Sequence, residues 1–207
     1  MEIFNNPRQY REWYLTHKKI YDTEKKAVEA LGLKDCLDIG SGPSIFHEAI
    51  KGRVISLDVS ELMLKEGKED EDKILADALH LPIRDNSLKC TFISVTVCFI
   101  NDVDALFKEV ARVSDSVSVC IVAADSPWGE FYQELGKRGH KYYSRAHFIT
   151  RDELIRTVSR YFKVVKIVST LTFSPLEDER DEEPLVGDDS GAFFCVKGIK
   201  AQNSRKY

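Results

Sequence analysis

The stretch Leu37-Asp38-Ile39-Gly40-Ser41-Gly42-Pro43-Ser44 decides how this chain is read. An apolar run ends there and helical spacing follows. Glycines at such a turn let the backbone approach a ligand closely, and the start of the next helix offers free N–H groups. One class of ligand for this loop is a dinucleotide, held by G-x-G-x-x-G. Gly40 and Gly42 fit that pattern, but Ile45 stands at its third glycine and crowds the helix–strand packing. Asp38, two places before Gly40, would repel a pyrophosphate. It suits a ligand that carries positive charge instead.

The pattern continues outward on both sides. Downstream, the spacing predicts a helix over 43–51, a strand over 54–57 ending at Asp58, and a helix capped by Ser60. A strand over 73–76 ends at Asp77, and an apolar β-branched run, 90–97, reads as a buried strand. Asp102 or Asp104 opens the next helix, 117–124 is a further strand, and Thr150-Arg151-Asp152-Glu153 is a capping box. The last strands, 162–171 and 192–199, have no helix between them and are predicted to pair antiparallel. Upstream, 7–31 is helical, with Tyr10, Trp13, Tyr14, His17 and Tyr21 near one face, and stops at Gly32. The expected fold is α/β: a doubly wound, Rossmann-like, seven-stranded sheet with its last strand antiparallel, in three α/β/α layers. Residues 1–207 are read as one domain, with 1–31 as an N-terminal helical cap.

Composition narrows the function. The 207 residues carry 30 Lys and Arg against 34 Asp and Glu, a net charge of −4, which excludes a broadly basic nucleic-acid binder. That acidity is local. Residues 177–189 hold eight carboxylates against Arg180, a net −7, so the remainder is +3. Such a loop is either a solvated, mobile surface or an electrostatic funnel for a cationic substrate. The five cysteines have no C-x-x-C spacing and mostly lie in apolar runs, which predicts reduced, buried thiols and no metal site. The N-terminus does not read as a signal peptide and no apolar run spans a bilayer, so a cytoplasmic protein without a membrane partner is expected.

Asp38-x-Gly40-x-Gly42, with Ser44 at the third glycine position, resembles the first motif of the class I S-adenosylmethionine-dependent methyltransferases. Asp58 falls where that family places the acid that takes both ribose hydroxyls, a task two carboxylate oxygens suit. Asp77 and Ala78 fall where the adenine amino group and ring are met. Leu81-Pro82-Ile83-x-Asp85-x-Ser87-Leu88 is similar to the stretch leading into the family's fourth strand. The resemblance is closest to the ubiquinone/menaquinone-type branch. Closer still are thermophile small-molecule enzymes sharing the aromatic N-terminal helix, the segment Thr96-Val97-Cys98-Phe99-Ile100 and Gly191-Ala192-Phe193; some of these have been compared with histamine N-methyltransferases.

The resemblance implies S-adenosylmethionine as cofactor, S-adenosylhomocysteine as product, and a cofactor site of Asp38, Gly40, Ser41, Gly42, Asp58, Val59, Asp77, Ala78, Leu79 and Thr96. The acceptor is expected to be a small molecule, with an amine among the candidates. It would lie at the C-terminal ends of the strands, near Tyr10, Trp13, Tyr14, Phe99, Trp128 and Tyr132. The aromatic helix face reads either as a lid or as core packing. No catalytic motif stands out; Asp125 and His147 are the candidates, against the plainer readings of a helix cap and a surface histidine. Cys98 reads as a buried structural thiol more readily than as a methyl acceptor. The alternatives are a non-catalytic cofactor- or partner-binding protein on the same fold and, further off, a dinucleotide-dependent oxidoreductase.

Overall fold

A computed structural model describes residues 6–201; the first five residues of the expected 1–31 cap lie outside it. Asn6 caps α1 (Pro7–Thr16), whose start is set by Pro7. The helical stretch then breaks at His17, where ψ is 56°, and resumes as α2 (Lys18–Ala30). Gly32 ends it with φ +63°, a left-handed stop that glycine takes without strain.

The strands are β1 (Lys34–Ile39), β2 (Lys51–Asp58), β3 (Asp72–Leu75), β4 (Cys90–Ser94), β5 (Ser116–Val122), β6 (Lys163–Thr170), β7 (Leu185–Val186) and β8 (Phe193–Ile199). They form one sheet in the order β3-β2-β1-β4-β5-β8-β6-β7. The first five run parallel, and β8 is antiparallel to both β5 and β6. The sheet therefore has eight strands, not seven. The extra one is a two-residue piece of the acidic loop that pairs with the outer edge of β6. The chain reverses direction across the sheet between β1 and β4, which opens a crevice at their C-terminal ends.

Helices α3 (Glu61–Glu66), α4 (Val103–Val113), α5 (Pro127–Lys137) and α6 (Arg151–Ser159) complete the layers. Alternation along the strands splits the core in two. One face packs Cys36, Phe92, Phe193 and Cys195 under α1, α2 and α5. The other packs Leu37, Ile93, Val119 and Phe194 under α4 and α6. The expected capping box is present: Glu153 N–H donates to Thr150 Oγ1 at 3.2 Å and Thr150 N–H to Glu153 Oε2 at 2.7 Å.

Two expectations are corrected. Residues 43–51 form no α-helix, only turns and a short 3-10 segment, His47–Ala49. Ser44 takes φ +61°, which a helix cannot accommodate. The cysteines are not all free thiols either. Cys36 faces Cys90 and Cys120 faces Cys195 across neighbouring strands, and both pairs are disulfides; Cys98 alone remains a buried thiol. The partners lie 54 and 75 residues apart in sequence and meet only through strand register.

Candidate active site

A cavity of about 640 Å³ opens at the C-terminal ends of β1, β2 and β4 and runs under α1 and α2. That is within the size range of small-molecule sites. Nine of the ten expected cofactor residues line it: Asp38, Gly40, Ser41, Gly42, Asp58, Val59, Asp77, Ala78 and Thr96. Leu79 does not; it is half-buried against the α4 side of the core and donates its N–H to Asp77 Oδ1 at 2.9 Å.

The glycine loop is held from below. Gly40 and Ser41 N–H groups both donate to Leu57 carbonyl oxygen, at 2.7 and 3.0 Å, and Gly42 N–H donates to Asp58 Oδ2 at 2.9 Å. With these three donors spent and no helix following, the loop is not the anion cradle that a pyrophosphate needs. Gly40 has φ +72°, and a Cβ there would stand 2.3 Å from Thr96 Cγ2. Gly42, at φ +52°, would point a Cβ into open space. Val95, beside Thr96, holds φ +51°, a strained conformation for a β-branched residue, at the cavity wall.

Asp38 lies beneath the loop, 5% exposed. His47 Nε2 is 2.7 Å from its Oδ2, and His47 Nδ1 is 2.6 Å from Glu71 Oε1. Glu71 Oε2 also accepts from Ser44 at 2.9 Å and Ser56 at 3.1 Å. Burial pushes the Asp38 carboxyl up, against the pull of His47. Burial alone would lower His47; Asp38 and Glu71 outweigh it and hold the imidazole above its ordinary value. Asp38 Oδ1 is buried with no hydrogen-bond partner. Asp58 accepts from Gly42 through one oxygen and from Ser60 N–H through the other, at 2.8 Å. Each of its oxygens keeps a second acceptor site.

The other end of the cavity is aromatic. All six expected acceptor residues, Tyr10, Trp13, Tyr14, Phe99, Trp128 and Tyr132, line it. Trp128 Nε1 donates to Phe173 carbonyl oxygen at 2.7 Å, and Tyr132 stacks on Tyr143 at 4.3 Å between ring centres. The two catalytic candidates are elsewhere. Asp125 pairs with Arg151, Oδ2 to Nη1 3.1 Å, and the helix cap it was weighed for is supplied by Ser126. His147 is exposed and is fixed only through its backbone N–H, which donates to Cys98 carbonyl oxygen at 2.7 Å. Neither lines the cavity.

Glu24 of α2 does line it, and the expected set omits it. It is 4% exposed, its Oε2 is buried with no partner, and burial pushes its carboxyl up to about 8. Its signal in the sequence is position: Ile20, Glu24, Ala27 and Val28 share the apolar face of α2, so a carboxylate sits on a core stripe. The acidic loop closes one side. Lys26 binds Asp181 and Glu183, at 2.7 and 2.9 Å, and Thr23 Oγ1 accepts from Glu182 N–H. His17 binds Glu179, and Glu177 and Glu179 reach the cavity wall. Among the described residues, no helix is long and apolar enough to cross a membrane and no set of three metal-ligating side chains gathers.

Residues 37–122 match the methyltransferase-domain family. A malonyl-[acyl-carrier protein] O-methyltransferase of Hamiltonella defensa is 29% identical over 140 residues, 63% of this chain and only 54% of that relative. The chain is similar in structure to an S-adenosylmethionine-dependent methyltransferase of Thermotoga maritima described as a possible histamine N-methyltransferase. The TM-score is 0.84 with 28% identity, over 93% of this chain and 95% of that one. It shares its fold with a magnesium protoporphyrin IX methyltransferase of Synechocystis with S-adenosylhomocysteine bound, at a TM-score of 0.61 and 12% identity, over 88% and 84% of the two chains.

Proposed function

We propose that this chain, which belongs to the class I S-adenosylmethionine-dependent methyltransferases, methylates a small-molecule amine. The residues at the glycine-loop end fit the methyl donor. Asp38 offers a buried oxygen with no partner, Gly42 opens onto free space, and Asp58 keeps acceptor capacity on both oxygens. Asp38, Gly40, Ser41 and Gly42 would hold its amino-acid end; Asp58 and Val59 its ribose; Asp77 and Ala78 its adenine. Thr96 props the loop, donating to Gly40 carbonyl oxygen at 3.2 Å. When bound, the sulfonium supplies an electrophilic methyl group, and the chain's own work is to position the acceptor and exclude water.

The observation that carries the amine is the charge of the lining. Glu24, Asp38, Asp58, Asp77, Glu177 and Glu179 face the cavity, and among the described residues no Lys or Arg does. His17, which is paired with Glu179, and His140 are the other titratable side chains of positive type on the wall, so carboxyl groups dominate it, a balance that favours an ammonium group over a carboxylate acceptor. Trp13, Tyr14, Phe99, Trp128 and Tyr132 add flat walls that favour a cation on an apolar body.

Calorimetry with S-adenosylhomocysteine tests the first half: micromolar binding is expected, and none would end the methyltransferase reading. Product release measured over matched primary amines, phenols and carboxylic acids tests the second. Turnover confined to amines is expected; turnover of a carboxylate in preference to its amine analogue overturns the amine.

A further inference from the structure

We propose that Glu24, ringed by Tyr10, Tyr14, Tyr132 and Tyr143, holds the acceptor's amino nitrogen and accepts its proton. This rests on the amine reading above and assigns it a residue. Glu24 comes from the N-terminal cap, away from the motifs of the glycine-loop end, and neither Asp125 nor His147 stands near enough to the cavity to serve.

Four observations converge. First, Glu24 Oε2 is buried and unpartnered, and Glu24 lines the cavity. A carboxyl removed from water without a partner costs several kcal/mol, so its retention on a core stripe calls for a compensating role. Second, Tyr10 packs edge-on to Tyr14 with ring centres 5.6 Å apart, Tyr132 stacks on Tyr143 at 4.3 Å, and all four feel the Glu24 charge. The pairs line a polar patch and leave the carboxyl oxygen for a donor from outside. Third, burial holds that carboxyl at about 8, close to balance at neutral pH, which is where a proton acceptor works best. Fourth, the surrounding tyrosines are all pushed upward by burial and stay neutral, so they offer faces and dipoles to a cation without competing for its proton.

The chemistry balances as follows. An amine arrives as its ammonium and binds the Glu24 carboxylate. One N–H proton passes to the carboxylate, leaving a neutral amine beside a neutral acid, the arrangement a low-dielectric site prefers to an ion pair. The freed nitrogen lone pair forms the N–C bond to the methyl carbon as the S–C bond breaks, and that bond's electron pair stays on sulfur. The methylated ammonium leaves, and Glu24 returns its proton to solvent.

The test uses the full chain saturated with S-adenosylhomocysteine and a panel of primary amines graded from methylamine to phenethylamine and tryptamine. Each is paired with the alcohol of the same skeleton, and binding is read by calorimetry on wild type and Glu24→Gln. At least one amine is expected to bind wild type about tenfold or more tighter than its alcohol, and Glu24→Gln to erase that preference. S-adenosylhomocysteine affinity should stay within about twofold, which shows that the variant is folded and the other end intact. The inference is overturned if no amine outbinds its alcohol on wild type, or if Glu24→Gln keeps the preference. Loss of S-adenosylhomocysteine binding by wild type would instead defeat the methyltransferase reading. A second arm follows proton release on amine binding in two buffers of different ionisation heat. Wild type should release a fraction of a proton, read from the change in binding heat between the buffers, that Glu24→Gln lacks; identical proton counts also overturn the role.

Discussion

Two buried carboxyls face one cavity, and the protein treats them differently. Asp38, under the glycine loop, is tied through His47 to Glu71, and Glu71 in turn to Ser44 and Ser56. Glu24, under the aromatic cap, has a carboxyl oxygen with no partner among the described residues. The first arrangement is a scaffold: one imidazole sits between two carboxyls and fixes the loop that follows β1, although Asp38 too keeps one buried oxygen without a partner. The second holds an ionisable group in a state that only an arriving molecule can complete. Burial alone does not mark function, since both are buried; what separates them is where the compensating charge comes from.

That contrast is sharpest in stability. His47→Ala leaves Asp38 and Glu71 without the cation between them, and such a break costs about 3–5 kcal/mol. Thermal denaturation should show a fall of roughly 10 °C for a chain of this size. The imidazole is held above its ordinary 6.5 in the folded state. Its contribution is therefore complete below 6.5 and is lost as pH rises through the raised folded value. The gap between wild type and His47→Ala should narrow in alkali; a gap constant from pH 6 to 10 would mean that the three side chains are not coupled by charge.

Glu24→Gln has the opposite sign. The carboxyl moves from its ordinary 4.5 to about 8 on folding, so the folded state holds a proton that the unfolded chain releases between those values. Wild-type stability then declines as pH rises from 4.5 to 8, by a few kcal/mol at most, and the variant lacks this slope. Equal melting temperatures near pH 4.5 and a more stable variant at pH 8 are expected. A variant less stable at pH 8 would show that Glu24 is already satisfied within the protein, and the contrast would dissolve.

Asp58→Ala acts on binding at the scaffolded end. The side chain holds Gly42 and Ser60 N–H groups and, on the proposed reading, would meet the ribose hydroxyls. Losing charge-assisted hydrogen bonds of roughly 1.5–3 kcal/mol each should weaken S-adenosylhomocysteine by tenfold or more in calorimetry. The amine-over-alcohol preference at the Glu24 end should be unchanged. A loss of both would show that the two ends are one mechanical unit.

What could be read in advance follows the same division. Asp38, Asp58 and Asp77 announce themselves because each stands at or within two residues of a strand's C-terminal end, and strand ends are set by local apolar runs. Leu79, two residues on, turns away into the α4 face, since alternation past a strand end is not fixed by the run before it. The disulfides depend on which residue faces which across the sheet, a property of register that spacing along the chain does not carry. The two-residue β7 exists only because β6 presents an edge to it. Asp125 has the right address and the wrong partner: Arg151, 26 residues on, takes its carboxylate. Glu24 is missing from the expected site although it leaves a signal, a charge on the apolar face of α2; that a cavity, and not a salt bridge, lies beneath it is not carried by the sequence. The acidic loop is held where a mobile surface was one of its two readings: Lys26 and Thr23 pin it to α2, and Glu177 and Glu179 reach the cavity.

The smallest effect tests how closed the scaffold is. Ser44 stands at φ +61°, a conformation costing a non-glycine residue about 1–2 kcal/mol. Its hydroxyl gives 2.9 Å to Glu71 in return. Ser44→Gly relieves the strain but loses that hydrogen bond to a carboxylate and gains backbone entropy in the unfolded chain, so a net loss of about 1 kcal/mol is expected. Ser44→Ala keeps the strain and loses the bond, and should be the worse of the two. Because Ser44 and His47 meet at the same carboxylate, their effects should not add. In the His47→Ala background Glu71 can relax toward water, and Ser44→Ala should then cost clearly less than it does alone, by about 0.5 kcal/mol or more in a double-mutant cycle. Strict additivity would mean that the hydroxyl merely decorates the turn, and that the glycine-loop end is a set of separate contacts, no more self-contained than the aromatic one.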